Sequence, residues 1–169
     1  DTPSESMLIG SAVHALIELY QRTGRDIPMF MQSLPAHLKT VCDKYSIKDA
    51  PSQGKVMTAF LGVTPHVSKA IEKNGTLMCE YKFETKTPTG IEVIGTIDEV
   101  SEKNGAPLLT DWKTTSYVTM ADVIVKYTLS SQLLFYSYAY YLMYDEMPQS
   151  RFVIIPFKKS PVVCASTPI

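Results

Sequence analysis

Cysteine is scarce in this sequence, and no two cysteines lie at a spacing typical of a metal or redox motif. The three residues, Cys42, Cys79 and Cys164, are odd in number and contain no CxxC pair. This usage argues against a disulfide scaffold and against a zinc finger. A reducing compartment fits it best.

An excess of charge of one sign is also missing. The chain has 16 Lys and Arg against 17 Asp and Glu, which gives a net charge of -1 and a pI of about 6.3. It therefore has no global basic field of the kind that many DNA-binding proteins have. Any contact with nucleic acid must be local.

Long hydrophobic segments are absent as well. The longest apolar run, residues 133–144, is interrupted by tyrosines and is shorter than the roughly 18 residues of a membrane span. The first residues, DTPSES, have neither the basic nor the apolar region of a signal peptide. We therefore expect a cytoplasmic protein with no membrane segment. Because residue 1 is Asp and not Met, the sequence is also compatible with a piece of a longer protein.

Several common catalytic signatures do not occur. The sequence contains no GxSxG, Walker A, HExxH or Rossmann fingerprint, and it shows no internal repeat or low-complexity tract. With 169 residues, 45% of them hydrophobic, it predicts a single domain over 1–169.

The hydrophobic pattern predicts elements in the order α-β-β-β-α-β. Serines at the amino terminus cap a first helix that ends near Arg22, and residues 130–144 form a late helix. Three strands fall between residues 77 and 115, and a last one covers 151–157. Residues 25–75 predict a helical insertion, with shorter helices broken at prolines 35, 51 and 65.

Two acidic residues lie in the strands of a predicted hairpin, one on each side of its turn. Asn104-Gly105 is the preferred core of a two-residue type I′ turn. In that register residue 103 faces 106 and, counting outward, Asp98 faces Asp111. The pair belongs to the closer, non-hydrogen-bonded class, with Cα atoms about 4.5 Å apart.

Lys113 lies two residues beyond Asp111 and so points to the same face. The surrounding residues are apolar on both faces, and burying unpaired acids there would cost several kcal/mol. We interpret Asp98, Asp111 and Lys113 as a divalent-metal site with a lysine beside it. The alternative is a surface hairpin in which the lysine neutralises two aspartates.

Other residues gain interest from this constellation. His14 is a candidate metal ligand on the first helix, and Gly10 is one turn earlier on the same face. Gly10 would allow another backbone or a nucleotide to approach closely. Gln132 and Tyr136 share a face of the late helix. Glu80, at the start of the first strand, is a candidate ligand or a solvent-facing residue with equal weight.

Four short motifs in series resemble the RecB-type branch of the PD-(D/E)XK nuclease superfamily. They are Gly10-xxx-His14, Gly95-Thr96-Ile97-Asp98, Asp111-Trp112-Lys113-Thr114 and Gln132-xxx-Tyr136. The resemblance covers nearly the whole chain, with the motifs in the expected order.

The resemblance implies an α+β, restriction-endonuclease-like fold with a central mixed sheet of about four strands and extra helices between the first helix and the first strand. It implies a metal-dependent deoxyribonuclease, by analogy an exonuclease, in bacterial or phage DNA recombination, repair or processing. One or two Mg²⁺ or Mn²⁺ ions would be bound by His14, Asp98, Asp111 and the backbone carbonyl of Trp112. Lys113 would serve the attacking water. Gln132 and Tyr136 would support the site and contact DNA.

Some properties differ from relatives or stay open. The four-cysteine iron–sulfur set of some relatives is absent from the sequence, so we predict no cluster. A DNA-binding or assembly module without activity, and an RNA endonuclease, are the alternatives. Cleavage mode, polarity, strand preference and oligomeric or helicase partners are not predicted. The candidate contacts to DNA are five lysines, and for each the alternative is an ordinary solvent-exposed side chain. They are Lys82, Lys86, Lys126, Lys158 and Lys159.

Overall fold

The computed structural model describes residues 2–116, 119, 121, 125–127, 130–157 and 161–165. Its helices are α1 (Glu5–Arg22), α2 (Ile27–Lys44), α3 (Ala50–Val63) and α4 (Gln132–Tyr144), with a 3-10 turn at Thr64–His66. Its strands are β1 (Glu72–Lys73), β2 (Thr76–Leu77), β3 (Cys79–Lys86), β4 (Glu92–Lys103), β5 (Ala106–Thr115), β6 (Gln149–Pro156) and β7 (Val162–Ala165). Lys158 and Lys159 lie outside the described residues.

The chain divides into two compact units. The helical unit extends from the amino terminus to Val67 and includes short segments that begin at Lys113 and at Ile154. The sheet unit begins at Ser68 and includes most of the strands together with α4. That the whole chain is a single domain stays a prediction.

Side-chain caps and an aromatic cluster define the helical unit. Ser4 and Asp26 each accept a hydrogen bond from a backbone N–H of the first turn, at 3.3 and 2.9 Å, as good N-cap residues do. Tyr20 of α1, Phe30 of α2 and Phe60 of α3 are buried, with ring centroids 5.3 to 6.1 Å apart. These contacts hold the three helices together.

The proline at position 35 does not end a helix. We expected a break there, but α2 continues through Pro35. The missing N–H and the ring clash cost a helix about 3 kcal/mol, and the buried side chains of Phe30 and Leu34 on the preceding turn offset this. Pro51 instead lies at the start of α3, behind the N-cap Asp49, where its fixed φ is favourable.

The sheet unit is built on a five-stranded sheet in the order β3-β4-β5-β6-β7. The pairs β3–β4 and β4–β5 are antiparallel. The turn between β4 and β5 has positive φ at both Asn104 and Gly105, as a type I′ turn requires. β1 and β2 form a separate two-stranded ribbon.

Helix α4 covers one face of the β3–β4 hairpin. Phe83, Val93 and Ile97 of the strands form a buried cluster with Ala139 and Tyr140 of the helix. The helix contains no charged residue between Gln132 and Tyr144, in keeping with a mostly apolar packing surface.

The predicted fold class is confirmed. The structure is α+β with helices α2 and α3 inserted between α1 and the first strand, and the four predicted strands correspond to β3 to β6 of a mixed sheet. β7 and the small β1–β2 ribbon were not predicted. Within the described ranges, no helix combines the length and hydropathy needed to cross a bilayer.

Candidate functional site

The register of the β4–β5 hairpin is confirmed close to the turn and ends just before the acidic pair. Lys103 pairs with Ala106 and Glu99 with Thr110, as the turn predicts. The next pair, Asp98 with Asp111, is not part of the ladder. Instead the backbone N–H of Trp112 donates a hydrogen bond of 2.7 Å to Oδ2 of Asp98. The carboxylate of Asp98 thus takes the place of a ladder carbonyl.

Strand β4 changes its alternation at this point. Ile97 and Val100 both belong to the buried cluster that contains Ala139 and Tyr140 of α4. Residues three apart on a regular strand point to opposite faces. The strand is therefore irregular at Asp98 and Glu99, between them. The expectation that Asp98 and Asp111 face each other in a regular ladder is wrong, because the hairpin departs from regular pairing there.

Glu80 of β3 lies at the same level and has an unusual backbone. The flanking residues pair regularly, Cys79 with Glu99 and Tyr81 with Ile97, but Glu80 and Asp98 are not ladder partners. Glu80 has a φ of 47°, a left-handed conformation that costs a residue with a Cβ about 1 kcal/mol or more. No local turn requires this conformation. Strained backbone of this kind is concentrated at functional sites.

This conformation is accompanied by a close pair of carboxylates. One oxygen of Glu80 and one of Asp98 lie within 4.8 Å of each other, and both residues are half-buried. Two negative charges at this separation repel by about 1 kcal/mol in water, and by more where solvent is partly excluded. Carboxylate oxygens are the preferred ligands of Mg²⁺, Mn²⁺ and Ca²⁺. The pair therefore fits a hard divalent cation.

Asp111 is held by the late helix. Its side chain is buried, with 3% of the residue exposed, and Oδ1 accepts a hydrogen bond of 3.1 Å from Nε2 of Gln132. The same amide nitrogen donates to the hydroxyl of Tyr136 at 3.0 Å. Because both donors of the amide are used, Gln132 is fixed in orientation and fixes Asp111 in turn. The two predicted helix residues are thus joined to the predicted acid.

Tyr136 is itself fixed by close packing against the sheet. Its ring meets Phe83 edge-on at 6.1 Å, and a Cβ at Gly95 would lie 2.7 Å from Phe83 and 3.4 Å from Tyr136. Only glycine at position 95 therefore leaves room for both rings. This explains the glycine three residues before Asp98.

In the helical unit, Gly10 and His14 lie on consecutive turns of α1, and His14 is half-buried. A Cβ at Gly10 would lie 2.5 Å from Oγ1 of Thr114, the residue after Lys113. The close neighbour of Gly10 is therefore a side chain of β5, whereas we expected a backbone or a nucleotide there. Lys113 is half-buried at the end of that strand.

A known family matches the sequence over nearly its whole length. A model of the PD-(D/E)XK nuclease superfamily matches residues 1–163. The chain belongs to this superfamily. No protein of curated function and no solved structure is significantly similar to it.

Membership in the PD-(D/E)XK superfamily indicates a metal-dependent nuclease whose substrate is a nucleic acid. The acidic pair Glu80 and Asp98 supplies a group of donors suited to such a metal. The site thus agrees with the family in its donor chemistry.

Sequence reasoning missed a buried polar network beside the site of this PD-(D/E)XK chain. Glu99 is 0% exposed and lies 3.8 Å from the guanidinium of Arg151 on β6. Arg151 also donates to Oγ1 of Thr110 at 2.9 Å and to Oγ of Ser68 at 3.2 Å. Burial lowers the pKa of Arg151, and the charge of Glu99 acts in the opposite direction. The network ties β4, β5 and β6 together next to Asp98 and Asp111.

The only sequence signal for this network was a charged residue in an apolar strand. Glu99 follows Asp98 directly, between Ile97 and Val100. A glutamate in such a setting is either paired or a ligand. Its partner Arg151 is far away in the sequence, so local spacing did not identify it.

Proposed function

We propose that the protein is a divalent-metal-dependent deoxyribonuclease of the RecB-type branch, acting as an exonuclease. The observation that supports this most strongly is the close pair Glu80–Asp98 at the irregular part of β4, one hydrogen bond away from the Asp111-Trp112-Lys113 segment. By analogy with the branch, the setting is DNA recombination, repair or phage DNA processing in the cytoplasm.

We assign the metal ligands from the family motif and the acidic pair. His14, Asp98, Asp111 and the backbone carbonyl of Trp112 correspond to the motif, and Glu80 adds a further carboxylate. A bound Mg²⁺ or Mn²⁺ ion would supply Lewis-acid chemistry and offset charge on the phosphate. The carboxylate and carbonyl oxygens of this set suit both ions.

The residues of the chain itself then have separate tasks. Lys113 orients the attacking water, accepts its proton or donates to the phosphate oxygens as negative charge develops. Gln132 and Tyr136 keep Asp111 in place through the two hydrogen bonds of the amide. The N–H of Trp112 does the same for Asp98. These supporting hydrogen bonds matter because a catalytic group must be held within a fraction of an ångström of its productive position.

The deciding experiment is cleavage of end-labelled linear single- and double-stranded DNA, with covalently closed circles and single-stranded RNA alongside, in Mg²⁺, Mn²⁺ or EDTA. We expect metal-dependent loss of linear DNA with circles spared. Lys113→Ala should lower the rate by at least about 100-fold. The exposed Lys69→Ala is the matched control and should retain wild-type activity.

Each other outcome of this experiment has a definite meaning. Nicked circles would identify the protein as an endonuclease instead of an exonuclease. Preferential cleavage of RNA would identify RNA, and not DNA, as the substrate. No cleavage, together with no rise in melting temperature in Mn²⁺, would contradict the catalytic proposal and leave a binding or assembly module.

A further inference from the structure

One face of the β3–β4 hairpin is left uncovered by α4. The opposite face carries Phe83, Val93 and Ile97 into the core. The residues between them alternate to the uncovered side and pair across the two strands as 82 with 96, 84 with 94 and 86 with 92. We call this surface the open face; it consists of Lys82, Glu84, Lys86, Glu92, Ile94 and Thr96. All of these are exposed except Thr96, which is half-buried.

The open face leads directly to the acidic pair. Lys82 is two residues beyond Glu80, and its partner Thr96 is two residues before Asp98. Two residues along a strand cover about 6.6 Å. A ligand that extends along the open face therefore reaches the acidic pair one two-residue step beyond Lys82.

Among the described residues, two charges of the open face have no ion-pair partner: the cation of Lys82 and the carboxylate of Glu84. Lys86 is neutralised by Glu92, with 3.5 Å between Nζ and Oε1. The side chain of Lys82 is exposed and forms no ion pair or hydrogen bond with any described residue. Glu84 lies one step further from the acidic pair. The cation available to a ligand is thus the one nearest the proposed metal site.

An apolar side chain lies beyond that cation. Ile94 faces Glu84 across the hairpin and is 65% exposed. Base faces are accessible in a single strand but stacked inside a duplex, and an exposed aliphatic side chain can pack against such an apolar face. The order along the surface is therefore the acidic pair, the cation, and then the apolar residue with the carboxylate of Glu84 opposite it.

We propose that the open face binds a single strand of nucleic acid leading out of the site, with Lys82 on the phosphate next to the cleaved one and Ile94 against the following base. The place of the cleaved phosphate rests on the proposed function. The charge pattern predicts one ionic contact from this surface, because the remaining lysine is already paired.

The first test is binding without cleavage. Fluorescence anisotropy of a labelled single-stranded oligonucleotide is measured in EDTA and in Ca²⁺ over a range of salt concentrations. Lys82→Ala should raise the Kd by roughly fivefold and reduce the slope of log Kd against log salt by about 0.7, the value for one phosphate contact on a single strand. Lys82→Arg should retain wild-type binding because it keeps the charge.

Lys103→Ala is the matched control, since Lys103 is an exposed lysine at the turn end of β4. Lys103→Ala should change neither the Kd nor the slope of log Kd against log salt. Equal effects of Lys82→Ala and Lys103→Ala would overturn the proposal, as would a slope that Lys82→Ala leaves unchanged. In cleavage assays the Lys82 variant should raise KM and leave kcat within about threefold, since the contact holds substrate in the ground state and the transition state alike.

The second test concerns Ile94. Ile94→Ser should weaken binding of the single strand by about fivefold and leave duplex binding unchanged. Ile91→Ser is the control, because Ile91 is also 65% exposed but lies outside the paired part of the hairpin. Weaker duplex binding, or an equal effect of both changes, would contradict the proposed contact with a base.

Failure of this inference and failure of the proposed function give different results. If the protein degrades DNA and neither Lys82→Ala nor Ile94→Ser changes binding, the proposed function stands and the open-face proposal is wrong. A protein that cleaves nothing, yet binds a single strand through Lys82, keeps the surface and loses the catalytic proposal. Both variants alter exposed side chains, and their melting temperatures should match the wild type.

Discussion

Glu80 is the residue at which conformation and chemistry coincide. A left-handed φ within a strand is unfavourable for glutamate, and its carboxylate lies close to another one. Both features reduce the stability of the metal-free protein. Binding of a divalent cation would offset them, since a ligand that binds the folded state stabilises it by mass action.

This predicts a metal-linked change in stability that depends on Glu80. Mn²⁺ at about 100 times its Kd should stabilise the wild type by about 2.7 kcal/mol, which corresponds to roughly 5–10 °C in melting temperature for a chain of this size. Glu80→Gln should lose most of this rise. Differential scanning fluorimetry in EDTA and in Mn²⁺ measures it.

Glu84→Gln is the control for this experiment, because Glu84 is an exposed glutamate on the same strand. It should keep the full rise in melting temperature. An unchanged Mn²⁺ response in Glu80→Gln would remove Glu80 from the ligand set while leaving the other proposed ligands in place.

Among the elements, α1 and the end of β5 pack closely at Gly10 and Thr114. Glycine inside a helix costs about 1 kcal/mol relative to alanine, so its presence needs a reason. The clash that a Cβ would make with Thr114 Oγ1 provides it.

A double-mutant cycle tests this explanation. Gly10→Ala alone should destabilise the protein by about 1–2 kcal/mol, because the side chain of Thr114 must move. In a Thr114→Ala background the same change should stabilise it by up to about 1 kcal/mol, since only the helix propensity remains. Urea denaturation gives the four free energies of unfolding. The same sign in both backgrounds would show that the glycine has another purpose.

The elements also show how far the sequence determined the site. The Asn104-Gly105 turn defines the register as far as Glu99 and Thr110 because a type I′ turn is a local property of two residues. The irregular part of β4, the left-handed Glu80 and the continuous helix through Pro35 were not predictable in this way. Each depends on packing between segments distant in sequence, which overrides local preference.

The same distinction applies to the side chains of the site. The i,i+4 spacing placed Gln132 and Tyr136 on one face of the late helix, and the family resemblance implied that they support the site. The structure joins both to Asp111. Arg151 and Glu99 were missed because their pairing is long-range. The ligand role of His14 and the role of Lys113 stay predictions.

For the whole molecule, the balance of charge limits how it binds nucleic acid. With a net charge of -1, the protein has little long-range attraction for a polyanion. We therefore expect a shallow salt dependence, with a slope of log Kd against log salt near about +2 for a single strand, equivalent to roughly three phosphate contacts. Filter binding or anisotropy between 50 and 300 mM salt, at about the range where such slopes are linear, measures it. A much steeper slope would reveal a basic surface beyond the open face.

The turn that sets the register also determines how the purified protein changes chemically during storage. An asparagine followed by glycine is the sequence in which deamidation is fastest, and Asn104-Gly105 is exposed at the tip of the β4–β5 hairpin. Conversion to isoaspartate inserts a methylene into the main chain and removes the type I′ geometry. Stored samples should therefore gain 1 Da, about the mass of the amide-to-acid change, and lose the alignment of Glu99 with Thr110.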